Sequence, residues 1–256
     1  MLLFYLLFFV LGASFGSFLN AMEWRLGQAV SLGGRSLCPQ CRKKIKWYDN
    51  IPILSFLILR GRCRFCGGRI SWQYPAVELL IALGWTAIVV YATPEMGLPN
   101  LLITAYQCFI FWIFAFIFIF DLKYGEVLDS FTLIPAVLSV LLSIAFGWNS
   151  WQNILVAMAI GGGFFAVQYF ISKGKWIGGG DIRIGILMGA ILGWPNILAA
   201  LILAYVGGAI VSLGFLAVKK KTLSDSTPLG TYLSVATILI FFAGDGLVNW
   251  YLSLIN

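Results

Sequence analysis

Two aspartates stand at the ends of apolar segments, where a carboxylate is costly and is therefore a candidate for chemistry. Asp121 follows the run Phe-Ile-Phe-Ile-Phe, and Asp181 follows Trp176-Ile-Gly-Gly-Gly. Ionisable groups in or beside a bilayer are rare and usually functional, because burying charge there is expensive. Two carboxylates that share a site do not both ionise easily, so one of them keeps a proton. One acid of such a pair can take a proton from water while the other polarises a peptide carbonyl, which is a route to peptide hydrolysis.

The composition excludes the common alternatives to a carboxylate mechanism. The chain contains no histidine, which rules out Ser-His-Asp and Cys-His catalysis, the HExxH zinc hydrolases and covalent haem attachment. Of its 256 residues, 61% are hydrophobic and 11% are charged, whereas a soluble domain has about 25% charged residues. A soluble globular enzyme is therefore excluded, and we expect the chain to lie in a bilayer.

The glycines before the second aspartate suggest room for a substrate. Gly178 and Gly180 remove side-chain bulk beside Asp181, which would let an extended peptide backbone approach the acid. Asp181 also has a purely structural interpretation, because an acid at a helix N-terminus caps it and is favoured by the dipole. Asp121 is predicted at a helix C-terminus, where the dipole disfavours an anion, so structure alone explains it less well. A GxGD tetrapeptide is weak by itself and gains its value from a second aspartate on the same face.

Four cysteines form two CxxC pairs in the one long polar segment, residues 22–74. The pairs are Cys38-Pro-Gln-Cys41 and Cys63-Arg-Phe-Cys66, separated by 21 residues. This spacing is typical of a zinc site with four cysteine ligands, which is closed and structural. The alternative is a pair of unrelated or disulfide-bonded motifs, which reducing conditions on a cytoplasmic face disfavour. Cys108 lies in an apolar segment and is expected to be a small buried side chain.

Eight apolar stretches are each predicted to form a membrane helix, since roughly 20 apolar residues span the hydrocarbon. They are Leu2–Ala21, Pro75–Ala92, Asn100–Phe120, Phe131–Trp148, Trp151–Ser172, Ile182–Gly193, Asn196–Val218 and Pro228–Ile255. The predicted fold is an all-α polytopic membrane protein of about eight transmembrane helices. The predicted domains are a first transmembrane helix (1–21), a cytoplasmic zinc-binding insert (22–74) and a transmembrane peptidase core (75–256). The sixth stretch is short, and we expect it to be tilted or to begin within the glycine run.

The basic residues predict the orientation of these helices. All 17 lysines and arginines fall in the insert, in alternate loops or at the start of the sixth stretch, and this side is expected to be the cytoplasm. Both termini then face outward, and no cleaved signal peptide is expected, since no basic residue precedes the first apolar stretch. Two crossings separate Asp121 from Asp181, so both acids are predicted at the cytoplasmic boundary. The net charge of +7 is interpreted as orientation rather than as nucleic-acid binding.

Taken in order along the chain, these residues and several neighbours resemble the bacterial type IV prepilin peptidases, a family of GxGD membrane aspartic proteases. The matching elements are Gly16-Ser-Phe-Leu-Asn20 with Arg25, both CxxC pairs, Asn50-Ile-Pro-Ile-Leu-Ser55, Tyr74-Pro-Ala-Val-Glu78, Asp121 with Asp129-Ser-Phe-Thr132, Gly178-Gly-Gly-Asp181 and Pro228-Leu-Gly-Thr-Tyr232. There are two departures, since Val127-Leu-Asp129 stands where Ile-Pro-Asp is usual and Arg183 stands where lysine is commoner. Neither departure touches the two acids.

The resemblance implies two activities. The first is removal of the basic leader from prepilins or pseudopilins at the cytoplasmic face of the bacterial inner membrane, with Asp121 and Asp181 as catalytic acids and Gly178, Gly180 and Asp129 in support. The second is N-methylation of the new N-terminus with S-adenosylmethionine as cosubstrate. For methyl transfer or substrate positioning, the resemblance points to Glu78, Asn20 and Arg25. Glu78 also fits charge pairing at a helix N-terminus, and for Asn20 and Arg25 a structural role in capping the first helix is favoured.

Two other classes of protein stay open as alternatives. A transporter or channel would need ionisable residues deep within its spans, whereas the acids here cluster at one boundary. A non-enzymatic assembly scaffold would use zinc and the insert to recruit a partner, although a scaffold has no need of both aspartates. The expected partners are therefore prepilin-like substrates and the lipid bilayer, with no nucleic acid.

Overall fold

The structure is a computed structural model that describes residues 2–92, 98–217 and 228–253. These residues form nine α-helices and, within the described ranges, no β-strand longer than an isolated bridge. The helices are α1 (Leu2–Gly27), α2 (Leu54–Ile58), α3 (Gln73–Ala92), α4 (Leu98–Tyr124), α5 (Leu133–Phe146), α6 (Trp151–Ser172), α7 (Gly179–Leu192), α8 (Asn196–Ala217) and α9 (Leu229–Ser253). Short 3₁₀ turns occupy Trp47–Asn50 and Asp129–Phe131. The prediction of an all-α fold is confirmed.

Six of the described helices are long and apolar enough to cross a membrane. Their spanning segments are Leu2–Gly27, Gln73–Tyr91, Asn100–Tyr124, Asp129–Phe146, Trp151–Ser172 and Asn196–Phe215. A chain with this many apolar helices is a multi-pass membrane protein. The apolar part of α9 is shorter, at Leu229–Gly244. The 14 residues of α7 extend for about 21 Å, less than the roughly 30 Å of hydrocarbon in a bilayer, so the number of eight spans stays a prediction.

The helix bounds agree with the apolar stretches of the sequence, with one clear exception. The first helix continues six residues beyond the predicted Ala21, to Gly27. The added segment contains good helix formers and ends at the glycine, a residue that commonly terminates helices. The expectation that the sixth stretch begins within the glycine run is confirmed, because α7 begins at Gly179. Most of the loop predicted at 93–99 and all of the basic loop predicted at 219–227 lie outside the described residues.

By compactness the chain divides into two units, Met1–Phe116 and Ile117–Asn256, with the boundary inside α4. The domains expected from the sequence followed changes in polarity rather than compactness, and they stay a prediction. In the first unit α1 and α3 are antiparallel neighbours whose backbones approach closely. A Cβ on Gly12 would lie 2.8 Å from the Cα of Ala82, and a Cβ on Gly16 would lie 2.7 Å from the Cα of Glu78. Small residues permit such close packing in a bilayer.

In the second unit α7 is the central helix. It packs against α5, α6, α8 and α9, and nine of its 14 residues are buried. A helix shorter than the hydrocarbon thickness is therefore covered largely by its neighbouring helices. It crosses α6 at glycine contacts, where Gly161 lies against the carbonyl of Gly185 and a Cβ on Gly189 would lie 2.5 Å from the carbonyl oxygen of Ala157.

Candidate active site and metal centre

Asp121 lies in the last turn of α4, where the N-terminus of α9 meets it. The Thr231 N–H donates to its Oδ2 at 2.9 Å, the Gly230 N–H also donates to it, and Asp121 is buried, at 5% exposed. The first N–H groups of a helix have no partner within that helix, so they are available to an anion. The start of α9 therefore provides the stabilisation that the C-terminus of α4 cannot give.

Asp181 is the third residue of α7, and it too is buried. Its Oδ2 accepts a hydrogen bond from the Gly178 N–H at 3.1 Å, which is the reach of a carboxylate at this position back to the residue before the helix. The structural interpretation of Asp181 as a capping residue is therefore correct. It does not exclude chemistry, because this hydrogen bond engages only one of the two carboxylate oxygens.

The structure brings the two predicted acids together within the second unit. The charge of Asp121 acts on Asp181. A Cβ on Gly230 would lie 2.8 Å from Oδ2 of Asp121 and 3.0 Å from Cδ1 of Ile184, which is one turn beyond Asp181 in α7. The end of α4, the start of α7 and the start of α9 thus converge on one point, which contains two carboxylates and three backbone N–H donors.

Asp129 and Arg183 form an ion pair that joins the turn after α4 to the first turns of α7. The Asp129 side chain is 63% exposed, so it lies at the edge of the site rather than beside the buried acids. The Arg183 Nε also donates to the Gly179 carbonyl at 3.2 Å. The sequence analysis noted Arg183 only because lysine is commoner at this position. In the structure its guanidinium holds the backbone of the glycine run through the Gly179 carbonyl.

The expectation that Gly178 and Gly180 leave room for a substrate beside Asp181 stays a prediction, and the structure shows how closely each glycine of the run is packed. A Cβ on Gly180 would lie 2.7 Å from the Cβ of Val127, so this glycine is needed for packing between the turn after α4 and α7. Around Gly178 and Gly179 the nearest neighbours of such an atom are side-chain tips at 3.8 Å. Among the three glycines before Asp181, an added side chain is therefore obstructed only at Gly180.

Three further residues at the site were given no role by sequence reasoning. Thr231 and Gly230 belong to a motif that carried only a family resemblance and no assigned role. Tyr205 in α8 lies where the charge of Asp181 acts on it, and its hydroxyl donates to Oε1 of Gln168 at 3.2 Å. A tyrosine inside an apolar helix was the only available signal for that residue.

The four cysteines of the CxxC pairs form one cluster in the first unit. Their sulfur atoms all lie within 4.8 Å of one another, and those of Cys38 and Cys66 are 4.0 Å apart. Zinc–sulfur bonds of about 2.3 Å in a tetrahedron place sulfur atoms about 3.8 Å apart, so the cluster fits one such ion. All four thiols are free, which is contrary to the disulfide alternative. Cys108 is buried in α4, as expected.

The two halves of the cluster have the same backbone path, offset by 25 residues. An isolated antiparallel bridge closes each segment, between positions 37 and 44 and between positions 62 and 69. In each half the N–H of the first cysteine donates to the carbonyl of the fifth residue after it. The residue after the second cysteine has a positive φ in both, 58° at Arg42 and 69° at Gly67. Glycine adopts this conformation readily at position 67, and Arg42 makes the same turn at a cost of about 1 kcal/mol.

The backbone of the second half favours a thiolate. The Cys66 N–H donates to the sulfur of Cys63 and lowers the pKa of the Cys63 thiol to about 7. Because the deprotonated thiolate is the form that binds metal, these amides prepare the site for a cation.

An ion pair fixes the second CxxC pair against the 3₁₀ turn at Trp47–Asn50. The Arg64 guanidinium donates to both carboxylate oxygens of Asp49, at 2.6 to 3.0 Å. These hydrogen bonds hold the pKa of the Asp49 carboxyl below its usual value. Two-pronged pairs of this kind impose orientation as well as attraction, so Arg64 orients the segment between Cys63 and Cys66.

The three residues suggested for methyl transfer or substrate positioning separate into two groups. Arg25 is buried and donates to the backbone carbonyls of residues 32 to 35, which favours a structural role for it. Asn20 and Glu78 lie on facing sides of α1 and α3, and both are buried. The Glu78 carboxylate accepts a hydrogen bond from the Ile53 N–H at 2.7 Å. Among the described residues, this neutral backbone contact takes the place of the charge pairing considered for Glu78.

Comparisons with known proteins identify the family to which the chain belongs. Residues 10–92 match the bacterial Peptidase A24 N-terminal domain, and residues 108–213 match the type IV leader peptidase family. The prepilin leader peptidase/N-methyltransferase of Legionella pneumophila is 31% identical over 229 residues, which cover 85% of this chain and 75% of that protein. The protein of the same name from Aeromonas salmonicida strain A449 is 32% identical, covering 86% and 75% respectively. The chain belongs to the type IV leader peptidase family.

Similarity to this family extends over nearly the whole chain. The prepilin leader peptidase/N-methyltransferase of Bacillus subtilis strain 168 is 29% identical over 255 residues, covering 96% of this chain and 97% of that protein. No solved structure matches the chain. The two acids fall in the range matched by the leader peptidase family, and the cysteine cluster, Asn20 and Glu78 fall in the range matched by the N-terminal domain.

Proposed function

We propose that this protein removes the leader peptide of type IV prepilins or pseudopilins and N-methylates the newly exposed N-terminus. Membership of the family supports the reaction class. The observation that carries the peptidase assignment is the pair of buried carboxylates, each held by N–H donors at the start of a helix. This arrangement needs neither histidine, nor a nucleophilic side chain, nor a catalytic metal.

In the proposed peptidase reaction, Asp121 and Asp181 share one proton. The ionised carboxylate takes a proton from water as the water oxygen bonds to the carbon of the scissile carbonyl, while the protonated carboxyl donates to the carbonyl oxygen. Collapse of the tetrahedral adduct breaks the carbon–nitrogen bond. The leaving nitrogen takes its proton from the carboxyl group that was protonated by the water. The Thr231 and Gly178 N–H groups keep one oxygen of each acid in place, so the other oxygens face the substrate.

The second reaction is methylation of the new N-terminal amine. When bound, S-adenosylmethionine supplies the methyl group from its sulfonium. A primary amine must be unprotonated to accept that methyl group, so the protein must bind an ammonium ion and remove its proton. The described residues that could bind and deprotonate this ammonium lie in the first unit. They do not include Asp121 or Asp181.

The cysteine cluster is proposed to hold one structural zinc ion through Cys38, Cys41, Cys63 and Cys66. Four thiolates leave no open position for water, so the ion shapes the insert and takes no part in hydrolysis. The distribution of the basic residues supports an inner-membrane orientation with the insert and both acids at the cytoplasmic face and both termini outside.

The peptidase assignment is tested by co-expressing the protein with a prepilin that carries a Gly-Phe junction and measuring loss of the leader. The variants Asp121→Asn and Asp181→Asn preserve side-chain size, and each is expected to abolish cleavage. Glu126→Gln removes an exposed acid near the site and is expected to cleave like the parent. Cleavage that persists in either aspartate variant would reject the paired mechanism. A transporter or an assembly scaffold would show no cleavage by the parent.

A further inference from the structure

A buried polar cluster lies between α1 and α3 in the first unit, and its side chains are distinct from the four cysteines. On α1 it contains Ser17, Asn20 and Glu23, which are spaced by three residues and so share one face of the helix. On α3 it contains Glu78 and the Tyr74 carbonyl. Asn20 and Glu23 are each 1% exposed and Glu78 is 7% exposed. Burying polar groups between apolar helices costs free energy unless they form hydrogen bonds, so such groups are often functional.

The oxygen of the Asn20 side chain has no hydrogen-bond partner. Its amide nitrogen donates to the Tyr74 carbonyl at 3.0 Å. A carbonyl can only accept, so this contact fixes which end of the amide is nitrogen. The opposite end, Oδ1, is buried and unpaired. A buried acceptor without a partner costs roughly 1–3 kcal/mol, and a ligand that donates a hydrogen bond would recover that cost.

Glu78 supplies a charged acceptor in the same cluster. Its Oε2 accepts the Ile53 N–H at 2.7 Å, and the Ser17 hydroxyl also donates to it. In the described part of the chain no lysine or arginine forms an ion pair with Glu78. Ile53 makes this contact from a rare backbone conformation, with φ 63° and ψ −52°, which costs about 1–3 kcal/mol. The Glu78 carboxylate is therefore hydrogen-bonded by a neutral N–H group from a strained residue, Ile53. A cation would stabilise this carboxylate more strongly.

The surroundings of the cluster add acceptors and one phenol. The Glu23 carboxylate accepts from Nε2 of Gln73 at 3.0 Å. The charges of Glu23 and Cys38 both act on Tyr74, so this residue lies within electrostatic range of both the polar cluster and the cysteine centre. The groups of the cluster that can accept from a ligand are thus the Glu78 carboxylate and the amide oxygen of Asn20. Such a set selects a ligand with several N–H donors and a positive charge.

We propose that Glu78 and Asn20 bind the N-terminal ammonium of the cleaved pilin, and that Glu78 accepts its proton for methyl transfer. This inference rests on the methyl-transfer half of the proposed function and deepens it. The ammonium donates to the Glu78 carboxylate and to Oδ1 of Asn20, replacing the Ile53 N–H. In this assignment the peptidase chemistry belongs to the second unit and the amine chemistry to the first.

The chemical step balances without any further reactant. The ammonium passes one proton to the Glu78 carboxylate and becomes a neutral amine. The lone pair of its nitrogen forms a bond to the methyl carbon of the sulfonium donor. The carbon–sulfur bond breaks, and its electron pair stays on sulfur as a neutral thioether. The methylated product carries the positive charge, and the Glu78 proton returns to solvent.

The decisive variant is Glu78→Gln. Glutamine keeps an oxygen that can accept from Ile53, so the packing is preserved while the charge and the basic site are lost. Asn20→Ala removes the unpaired amide oxygen and serves as an independent second variant. Glu126→Gln, at an exposed acid, is the matched control for loss of a carboxylate. Metal content and leader cleavage report in each case whether the protein is folded.

Two measurements are made on the full-length protein in the same detergent or nanodiscs. The first is methyl incorporation from labelled S-adenosylmethionine, compared with leader cleavage. The second uses no methyl donor and measures binding of two product peptides that differ only in a free or an acetylated N-terminus. Hydrogen bonds to a charged group predict binding of the free-amine peptide about 10- to 100-fold weaker in Glu78→Gln than in the parent. The acetylated peptide should bind both proteins equally.

The expected result is near-parental cleavage by Glu78→Gln with methylation at least about tenfold slower at pH 7. The difference in methylation rate between Glu78→Gln and the parent should become smaller toward pH 9. At that pH an α-amine with a pKa of about 8 loses its proton to solvent. Parental methylation in Glu78→Gln, or equal loss of both activities in protein that retains its metal, would overturn the proposal. If the parent transfers no methyl group, that half of the proposed function is wrong. The peptide-binding comparison then decides whether the cluster binds an amine.

Discussion

The backbone N–H of Thr231 donates to the carboxylate of Asp121 across 110 residues of sequence, at 2.9 Å. This contact joins the start of α9 to the end of α4. It explains how an aspartate is tolerated at a helix C-terminus, since the opposing helix N-terminus provides the favourable end of a dipole. The geometry leaves little space, because the preceding residue, Gly230, faces the same carboxylate.

The first prediction concerns Gly230→Ala. The new methyl group would lie 2.8 Å from Oδ2 of Asp121, so the carboxylate must shift. Displacing a catalytic group by about 1 Å commonly costs on the order of 100-fold in rate, and we expect a loss of that size in kcat/KM for leader cleavage. Gly207→Ala in α8, where an added Cβ meets nothing within 4 Å, is the control. Equal cleavage by the two variants would show that the α9 contact does not position Asp121.

The second prediction concerns the crossing of α6 and α7. In Gly161→Ala the added methyl group meets the carbonyl of Gly185, and backbone atoms cannot move aside. Overpacking of this kind costs about 1–3 kcal/mol, which corresponds to a Tm lower by about 3–10 °C in a chain of this size. Gly163→Ala changes the same helix at a position with no neighbour within 4 Å. It should gain up to about 1 kcal/mol, because alanine is the better helix former.

The third prediction concerns the metal. The parent should contain about one zinc per chain, and Cys38→Ser combined with Cys63→Ser should contain almost none, as measured by elemental analysis of the purified protein. Cys108→Ser removes a buried thiol outside the cluster and should retain the full zinc content. A double variant that keeps its zinc would refute the four-thiolate site, whereas loss of zinc in Cys108→Ser would point to general unfolding.

The fourth prediction concerns the ion pair between Asp49 and Arg64. Asp49→Asn removes the charge that orients the segment between Cys63 and Cys66, and Arg64→Lys removes the two-pronged contact. Each should weaken zinc retention against a chelator, by less than the roughly 10- to 100-fold typical of groups that hydrogen-bond a metal ligand directly. Because the two side chains act as a pair, the double variant should lose little more than either single variant. Additive losses would indicate that they act separately.

Much of this architecture was predictable because it depends on residue type and local spacing. The CxxC pairs specify their own turns, and each apolar stretch specifies a helix. For Asp121 and Asp181, the even number of intervening crossings predicts one common side, and the structure brings the two acids close together. What escaped prediction depends on contacts between distant segments. Nothing near Arg25 indicates that its guanidinium binds the carbonyls of residues 32 to 35.

Two interpretations of the sequence were incomplete, for different reasons. Gly180 was expected to make room for a substrate, but the space is taken by Val127, a residue noted only as a departure from the family pattern. Glu23 was overlooked, although its spacing of three residues from Asn20 puts both on one face of α1 and was readable from the sequence. For Gly180 the missing information was a neighbour from another segment, which a single sequence does not identify, whereas the placement of Glu23 required only the helical periodicity.

The 25-residue offset between the two halves of the cysteine cluster imposes an order on biosynthesis. The first half emerges from the ribosome with two thiols and no means of completing a tetrahedral centre. At a synthesis rate of about 5–20 residues per second, the matching half follows about one to five seconds later. During that interval the nascent insert is an open two-thiol ligand, exposed to capture by other metals or oxidants. With zinc bound as proposed, each newly made chain would depend on cellular zinc and thiol reductants before its second membrane helix is complete.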